Sequence, residues 1–213
     1  MKLNKYLILF VLGLSLGFSV ISETQWQDLK NSYHLAQTST SDLRVRFDLA
    51  MAYAYTGFLQ EGFDELAAIN KIDSEYNQKI LTETATELEM ATNDWKANFN
   101  YAFALYFNDR KEEAKNYFYK VVELSPERSV KGWALGYIAY IHGEKKDWRT
   151  ALRIIDNAIR YEPDGMALFL AKGYGQQQTG DFFGLAGTLI KVGSMQASSV
   201  FNRYSIDNLK NEN

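Results

Sequence analysis

The sequence predicts an all-α fold built as a stack of helical hairpins. Three stretches repeat one order of residue types, in which small and aromatic residues run into a turn and then into a second helix. Only 2 prolines occur among 213 residues, which favours long helices over strands and tight turns. A single hairpin cannot bury its own apolar face, so the hairpins are expected to pack on one another.

The spacing of the hairpins supports a repeat. We place the close-contact residue of each second helix at Gly62, Ala114, Ala151 and Leu185, with gaps of 52, 37 and 34 residues. Gaps of this size between equivalent positions are typical of repeats that each form one helical hairpin. The longer first gap leaves room for an additional helix between the first two units.

The residue types within the units resemble those of the tetratricopeptide repeat (TPR) family from about residue 43 to 199. The matching residues are Leu49, Ala50, Tyr53, Gly57, Gly62, Leu66 and Ile69, then Tyr101, Ala102, Leu105, Ala114, Phe118, Val121 and Pro126, then Trp148, Ala151, Ile155, Ala158 and Pro163, and finally Phe169, Gly173, Gly180, Asp181, Phe182, Leu185 and Leu189. The resemblance implies a TPR-like right-handed α-solenoid, whose usual role is to hold a partner protein.

The small residues have physical reasons to stand where they do. Ala50, Ala102 and Gly173 fall where the two helices of a hairpin cross closely, at about 8–10 Å between axes or less. Gly57 and Gly180 fall in turns, where a left-handed backbone costs glycine nothing. The sequence therefore predicts close crossings and glycine-closed turns in the first and fourth hairpins.

The second and third turns depart from the family pattern. Asp109 stands where the second turn would carry glycine, and three additional residues of the third unit are placed in 143–146, although an alignment through Ala139 needs no insertion. The fourth unit has glycines in its second helix and no closing proline, so we expect it to be the least stable.

The N-terminus predicts export. Lys2 and Lys5 precede an uncharged run from Tyr6 to Ser22, and Val20 and Ser22 are small enough for signal-peptidase cleavage. Residues 1–22 are thus a signal peptide or, if uncleaved, a membrane anchor, and no other membrane contact is expected. Either form sends the body across the cytoplasmic membrane.

The remaining segments are assigned as flanking structure. Residues 23–42 are predicted to form an N-terminal capping helix, because Trp26, Leu29, Tyr33 and Ala36 recur at helical spacing. An extra helix is expected at about 77–94, or else a long extension into the second unit. Residues 200–213 are predicted as a C-terminal cap and tail that follow the repeat domain at 43–199.

The residues carry no sign of catalysis, a metal or a cofactor. The chain has no cysteine, and His34 and His142 each lack a second histidine or acid at the spacing of a helical zinc site. The formal charge of the chain is −3. Without residues 1–22 the chain has 21 basic and 26 acidic side chains, a balance that disfavours nucleic-acid binding. We therefore expect a protein that is not an enzyme and has no cofactor.

In the TPR family the first helices of the hairpins line a concave groove that binds a peptide. The resemblance places these candidate partner-binding residues there: Phe47, Met51, Tyr55, Phe99, Phe103, Tyr106, Phe107 and Tyr174. Large apolar anchors dominate binding energies, so the groove would take an extended or helical peptide with such anchors. The alternative is that several of these aromatics pack on the extra helix or on the C-terminal cap.

Two functions remain open at this point. One is an exported, non-enzymatic interaction scaffold that binds a peptide or an envelope protein in the aromatic groove. The other is a structural assembly element that uses the same apolar surface to form a homo-oligomer or to dock permanently in an envelope complex. The carboxylate-clamp subtype of the family is excluded, because apolar residues stand where lysine and asparagine are needed.

Overall fold

The computed structural model describes residues 21–198 and 205–211, with only the backbone described at 196–198. The predicted signal or anchor segment 1–22 lies almost entirely outside these residues. The eleven helices of the described part are α1 (Glu23–Thr38), α2 (Leu43–Thr56), α3 (Leu59–Ile72), α4 (Tyr76–Met90), α5 (Trp95–Phe107), α6 (Lys111–Leu124), α7 (Arg128–Glu144), α8 (Trp148–Tyr161), α9 (Met166–Thr179), α10 (Phe182–Ser198) and α11 (Ile206–Asn211). No strand occurs within the described ranges, and the all-α prediction is confirmed.

The predicted hairpins are all present. They pair α2 with α3, α5 with α6, α7 with α8 and α9 with α10, and the second helix of the middle two hairpins packs on the first helix of the next. The additional residues of the third unit lengthen α7, which has 17 residues against 13 in α5. The TPR-like stack of hairpins is therefore confirmed, while the division of the chain into domains stays a prediction.

The turns of the hairpins adopt a left-handed backbone conformation both where glycine is present and where it is absent. Gly57 and Gly180 take φ angles of 88° and 75°, as the sequence predicts. In the turns without glycine, Asp109 and Lys146 adopt φ angles of 59° and 61°. A left-handed conformation costs a residue with a Cβ roughly 1–2 kcal/mol, so packing of the flanking helices must hold these two turns.

The close crossings lie where small residues were expected. A Cβ on Gly62 would stand 3.1 Å from the carbonyl oxygen of Ala50, and a Cβ on Gly173 would stand 3.3 Å from Leu185 Cδ1. Ala102 and Ala114 are both fully buried in the second hairpin. These positions set how closely the two helices of each hairpin approach.

Helix α2 is the centre of the molecule and not simply the first layer of the stack. Every residue from Leu49 to Phe58 is buried, so neighbours surround the C-terminal part of the helix. The Tyr55 ring meets Trp95 and Phe99 of α5 at centroid distances of 5.2 and 5.8 Å. Helix α2 therefore lies across the first helix of the second hairpin.

Helix α2 also contacts the first helix of the third hairpin. The Tyr137 hydroxyl of α7 donates to the Ala54 carbonyl at 2.9 Å. This carbonyl lies in the last turn of α2, where the backbone N–H of Phe58 bonds to Tyr53 instead. A helix leaves its last carbonyls without intrahelical partners, so the tyrosine supplies the bond that the helix end lacks.

Helices α1 and α4 enclose α2 from other sides. Helix α1 buries Trp26 and Leu29 and reaches α5 and α7 through Lys96–Asp28 and Gln25–Ser129 contacts. Helix α4 is tied to the start of α2 by Arg44, which donates to Glu87 at 2.7 Å. Among the described helices none has both the length and the apolarity needed to cross a bilayer.

Candidate functional site

The eight residues placed in the groove from the sequence divide into two groups. Phe47, Met51, Tyr55, Phe99 and Phe103 are at most 5% exposed. Tyr106, Phe107 and Tyr174 are partly exposed. The first group is buried in the core, although Phe103 also lines an apolar pocket.

Both α2 and the extra helix α4 pack on α5, the helix that carries Phe99 and Phe103. Phe99 is fully buried, with ring contacts to Tyr55 of α2, Phe118 of α6 and Tyr137 of α7. Phe103 continues this cluster, at 4.6 Å from Tyr137. The aromatic face of the stack is thus occupied along part of its length by a helix of the same chain.

An apolar pocket remains open beyond the end of α2. It encloses about 670 Å³ including its mouth. Its lining comes from α3, α5, α6, α7, α8 and α9 and consists of Leu59, Phe63, Phe103, Tyr106, Phe107, Phe118, Trp133, Gly136, Tyr137, Tyr140, Ile141, Ile155, Ala167, Leu168 and Ala171. The first helices of three successive hairpins thus share one lining with parts of the second helices.

Polar groups lie along one edge of the pocket. The Tyr106 hydroxyl donates to Glu144 Oε2 at 3.3 Å, and Lys111 Nζ lies 3.2 Å from the same carboxylate. Burial raises the pKa of Tyr106 and of Tyr140 well above the usual range of tyrosine. Both hydroxyls therefore stay protonated near neutral pH and can donate hydrogen bonds.

Trp133 adds one polar group to the apolar wall. Its side chain is buried, and its Nε1 has no hydrogen-bond partner within the described part of the chain. A buried donor without a partner costs roughly 1–3 kcal/mol. A bound group with an acceptor near this nitrogen would recover part of that cost.

Tyr174 lies apart from the pocket. Its ring packs edge-on against Trp148 of α8 at 5.5 Å, and it is not among the residues that line the cavity. The structure thus brings Tyr106 and Phe107 together at one site and leaves Tyr174 at another.

Sequence reasoning missed the contribution of α3 to this site. Leu59 and Phe63 stand four residues apart on one face of α3 and point into the pocket lining. Only the first helices of the hairpins were expected to line the groove, so residues of the second helix α3 were not candidates. The run from Leu49 to Tyr55 is uniformly apolar. That pattern was the signal in the sequence that the first hairpin packs against the other hairpins.

No cluster of metal-ligating side chains occurs among the described residues. His142 contacts Asp147 at 3.1 Å, Nδ1 to Oδ2, across the third turn. A hydrogen bond from Thr150 lowers the pKa of Asp147, with a smaller contribution from His142. These contacts cap helix α8 and close the turn.

Two solved structures are similar to this chain, and the first of them supports the fold. The structure titled "MamA RS-1 ArsTM double mutant" is 14% identical, with a TM-score of 0.53 over 82% of this chain and 86% of that one. "MamA MSR-1 C2" is 15% identical, with a TM-score of 0.47 over 83% of this chain and 97% of that one. No family model matches the sequence, and no curated protein does. At such identities the likeness shows the fold alone.

Proposed function

We propose that this protein is a non-enzymatic interaction scaffold that binds an apolar segment of a partner protein in the pocket beyond the end of α2. The observation that carries the proposal is the shared apolar lining, which is aromatic where it comes from α3, α5, α6 and α7. Aromatic side chains supply much of the binding energy at protein interfaces, and ligand sites are typically apolar clefts with a few polar groups.

The chain itself supplies an example of what this face binds. Helix α2 lies on α5 and α7 through apolar and aromatic contacts, with a hydrogen bond from Tyr137 to its last turn. A partner helix or extended segment that lies along α5 and α7 beyond the end of α2 would reach Tyr106 and Phe107. Helix-in-groove recognition uses anchors spaced along one face in this way.

The chemistry of the lining supports binding over catalysis. Tyrosine is the only titratable residue type among the side chains that line the pocket. Their raised pKa values keep the hydroxyls neutral, so they can orient a ligand as hydrogen-bond donors. We assign no general base and no nucleophile to this site.

Binding can be tested with peptides selected on the purified full-length chain from a random peptide library. Ala171 lines the pocket and is partly exposed, so Ala171→Phe should fill the cavity. We expect selected peptides to carry large apolar residues and to bind Ala171→Phe about tenfold or more weakly, a loss of about 1.4 kcal/mol.

The control is Met90→Phe, because Met90 is 78% exposed on α4. This variant should bind the peptides as the unmodified protein does, and both variants should keep their melting temperatures. Peptides that bind Ala171→Phe with unchanged affinity would remove the pocket from the proposal.

We further propose that the protein acts outside the cytoplasm, in or near the cell envelope. The support is the basic start at Lys2 and Lys5 and the uncharged run that follows. Mass spectrometry of the protein from its native cells should find either a mature N-terminus near Glu23 or an intact Met1 in the membrane fraction. An intact chain in the soluble cytoplasmic fraction would refute export.

A second function, assembly through copies of the same chain, is favoured by one observation. Helix α10 exposes several large apolar side chains. This surface is separate from the pocket, since no residue of α10 lines it.

A further inference from the structure

The last hairpin exposes an apolar face along α10. Phe182, Phe183, Leu189 and Ile190 are 69%, 96%, 54% and 75% exposed. They account for half of the large apolar side chains that are exposed in the described part of the chain. Isolated exposed apolar residues are ordinary, but a contiguous group marks an interaction surface.

Glycines on α10 fall into two kinds. A Cβ on Gly184 would collide with the side chains of Asp181 and Gln176, so this glycine has a packing reason within the monomer. A Cβ on Gly187 or on Gly193 would meet nothing within 4 Å among the described residues. Glycine weakens a helix at such exposed positions, and the hairpin itself gains nothing from it.

The position of α10 at the end of the described stack explains why its outer face is uncovered. The second helices α6 and α8 are covered by the first helices α7 and α9 of the following hairpins. In the part of the chain that the structure describes, α10 packs chiefly on α9. Terminal units of a repeat stack need a polar outer face or another cover, and α10 has an apolar one.

We propose that α10 is the interface of a two-fold symmetric dimer of this protein. Phe183, Gly187 and Ile190 recur at three- and four-residue spacing and therefore share one side of the helix. Two antiparallel copies centred between Ala186 and Gly187 set Phe183 of one chain opposite Ile190 of the second copy. The small residues at the centre let the two helix backbones approach closely.

The residue pattern favours a second copy over other occupants. A two-fold contact must be self-complementary, and the alternation of large and small side chains along α10 meets that condition. Lys191 is the single charged residue of α10, so the face lacks the basic side chains that bind anionic membranes. Glycines serve the close packing of helices and have no such use against lipid chains.

The test is the mass of the purified full-length chain in solution, measured by light scattering during size exclusion over a concentration series. We expect a dimer for the unmodified protein. Phe183→Glu places a charge in the contact, opposite Ile190 of the second copy, and should weaken the dimer about tenfold or more. Met90→Glu, at an equally exposed position on α4, should leave the dimer intact.

A glycine variant separates the dimer from effects on the fold. Gly187→Leu fills space that is open in the monomer, so the folded chain should be as helical as before. The dimer should dissociate, because the added side chain blocks the approach of the second helix. Single thiols add a test of the register, since the chain has no cysteine. Ala186→Cys should form an intermolecular disulfide under mild oxidation, and Met90→Cys should not.

Several outcomes would overturn the proposal. A monomer at every concentration would exclude the dimer. A dimer that persists in both Phe183→Glu and Gly187→Leu would place the contact elsewhere on the molecule. A dimer in which Ala186→Cys stays reduced would contradict a two-fold axis at this point.

Discussion

Helices α2 and α10 are alike in having long uncharged runs, but they differ in burial, since α2 is largely buried and α10 has an exposed face. Each has a long run with almost no charge: the last eight residues of α2 have none, and α10 has only Lys191. Helix α2 is enclosed by α1, α3, α5 and α7, whereas α10 exposes Phe183 and Ile190. A helix that is apolar all round needs cover on all sides. The chain supplies that cover for α2, and for α10 we assign it to a second copy.

The glycines of the two regions differ in their surroundings in the same way. Gly62 lies on α3 where a Cβ would stand 3.1 Å from the backbone of α2, so its absence of a side chain serves packing within the chain. A Cβ on Gly187 would meet nothing within 4 Å among the described residues. An open glycine in mid-helix is what the proposed contact between two copies of α10 requires.

The largest expected difference between the two regions is in folding stability. Phe99→Ala removes a fully buried ring between α2, α6 and α7 and should cost about 3–5 kcal/mol of unfolding free energy. Phe182→Ala removes a ring that is 69% exposed and should change the monomer by less than about 0.5 kcal/mol. Denaturant unfolding at low protein concentration measures both.

For each of these two variants, one outcome would contradict the packing described for its helix. A small loss for Phe99→Ala would mean that α2 does not pack on the stack as described, and that the aromatic groove is open after all. A large loss for Phe182→Ala would mean that the outer face of α10 is covered within the monomer.

Features with local causes could be predicted from the sequence. Gly57 and Gly180 close their turns in the left-handed conformation, and Gly62 and Gly173 lie at crossings, because each effect depends on residues within one hairpin. The repeat spacing then gave the order of the hairpins. These predictions required no knowledge of how distant helices meet.

The position of α2 could not be obtained in this way. The repeat register correctly placed Phe99 and Phe103 on the first helix of the second hairpin, and it placed Tyr55 on the first helix of the first hairpin. In the structure Tyr55 packs directly on Phe99 at 5.8 Å, so two residues expected to line one groove contact each other instead. That contact depends on how the first hairpin folds back, which spacing alone does not specify.

The candidate site was predicted only in part for the same reason. Tyr106 and Phe107 do line the open pocket, while its other wall comes from Leu59 and Phe63. Those two residues lie on the second helix of the first hairpin, and only first helices were expected to line the groove. A binding site formed by helices far apart in sequence needs the three-dimensional arrangement to be seen.

The central claim is that α2 is a permanent part of the core and not a displaceable occupant of the groove. Native-state hydrogen exchange of its backbone amides tests this most directly, since core segments exchange only through global unfolding. We expect amides of α2 between Leu49 and Tyr55 to exchange as slowly as those of α7, with an opening free energy equal to that of global unfolding. Faster exchange in α2 than in α7 and α9 would show that the groove opens while the stack stays folded, and would contradict the account.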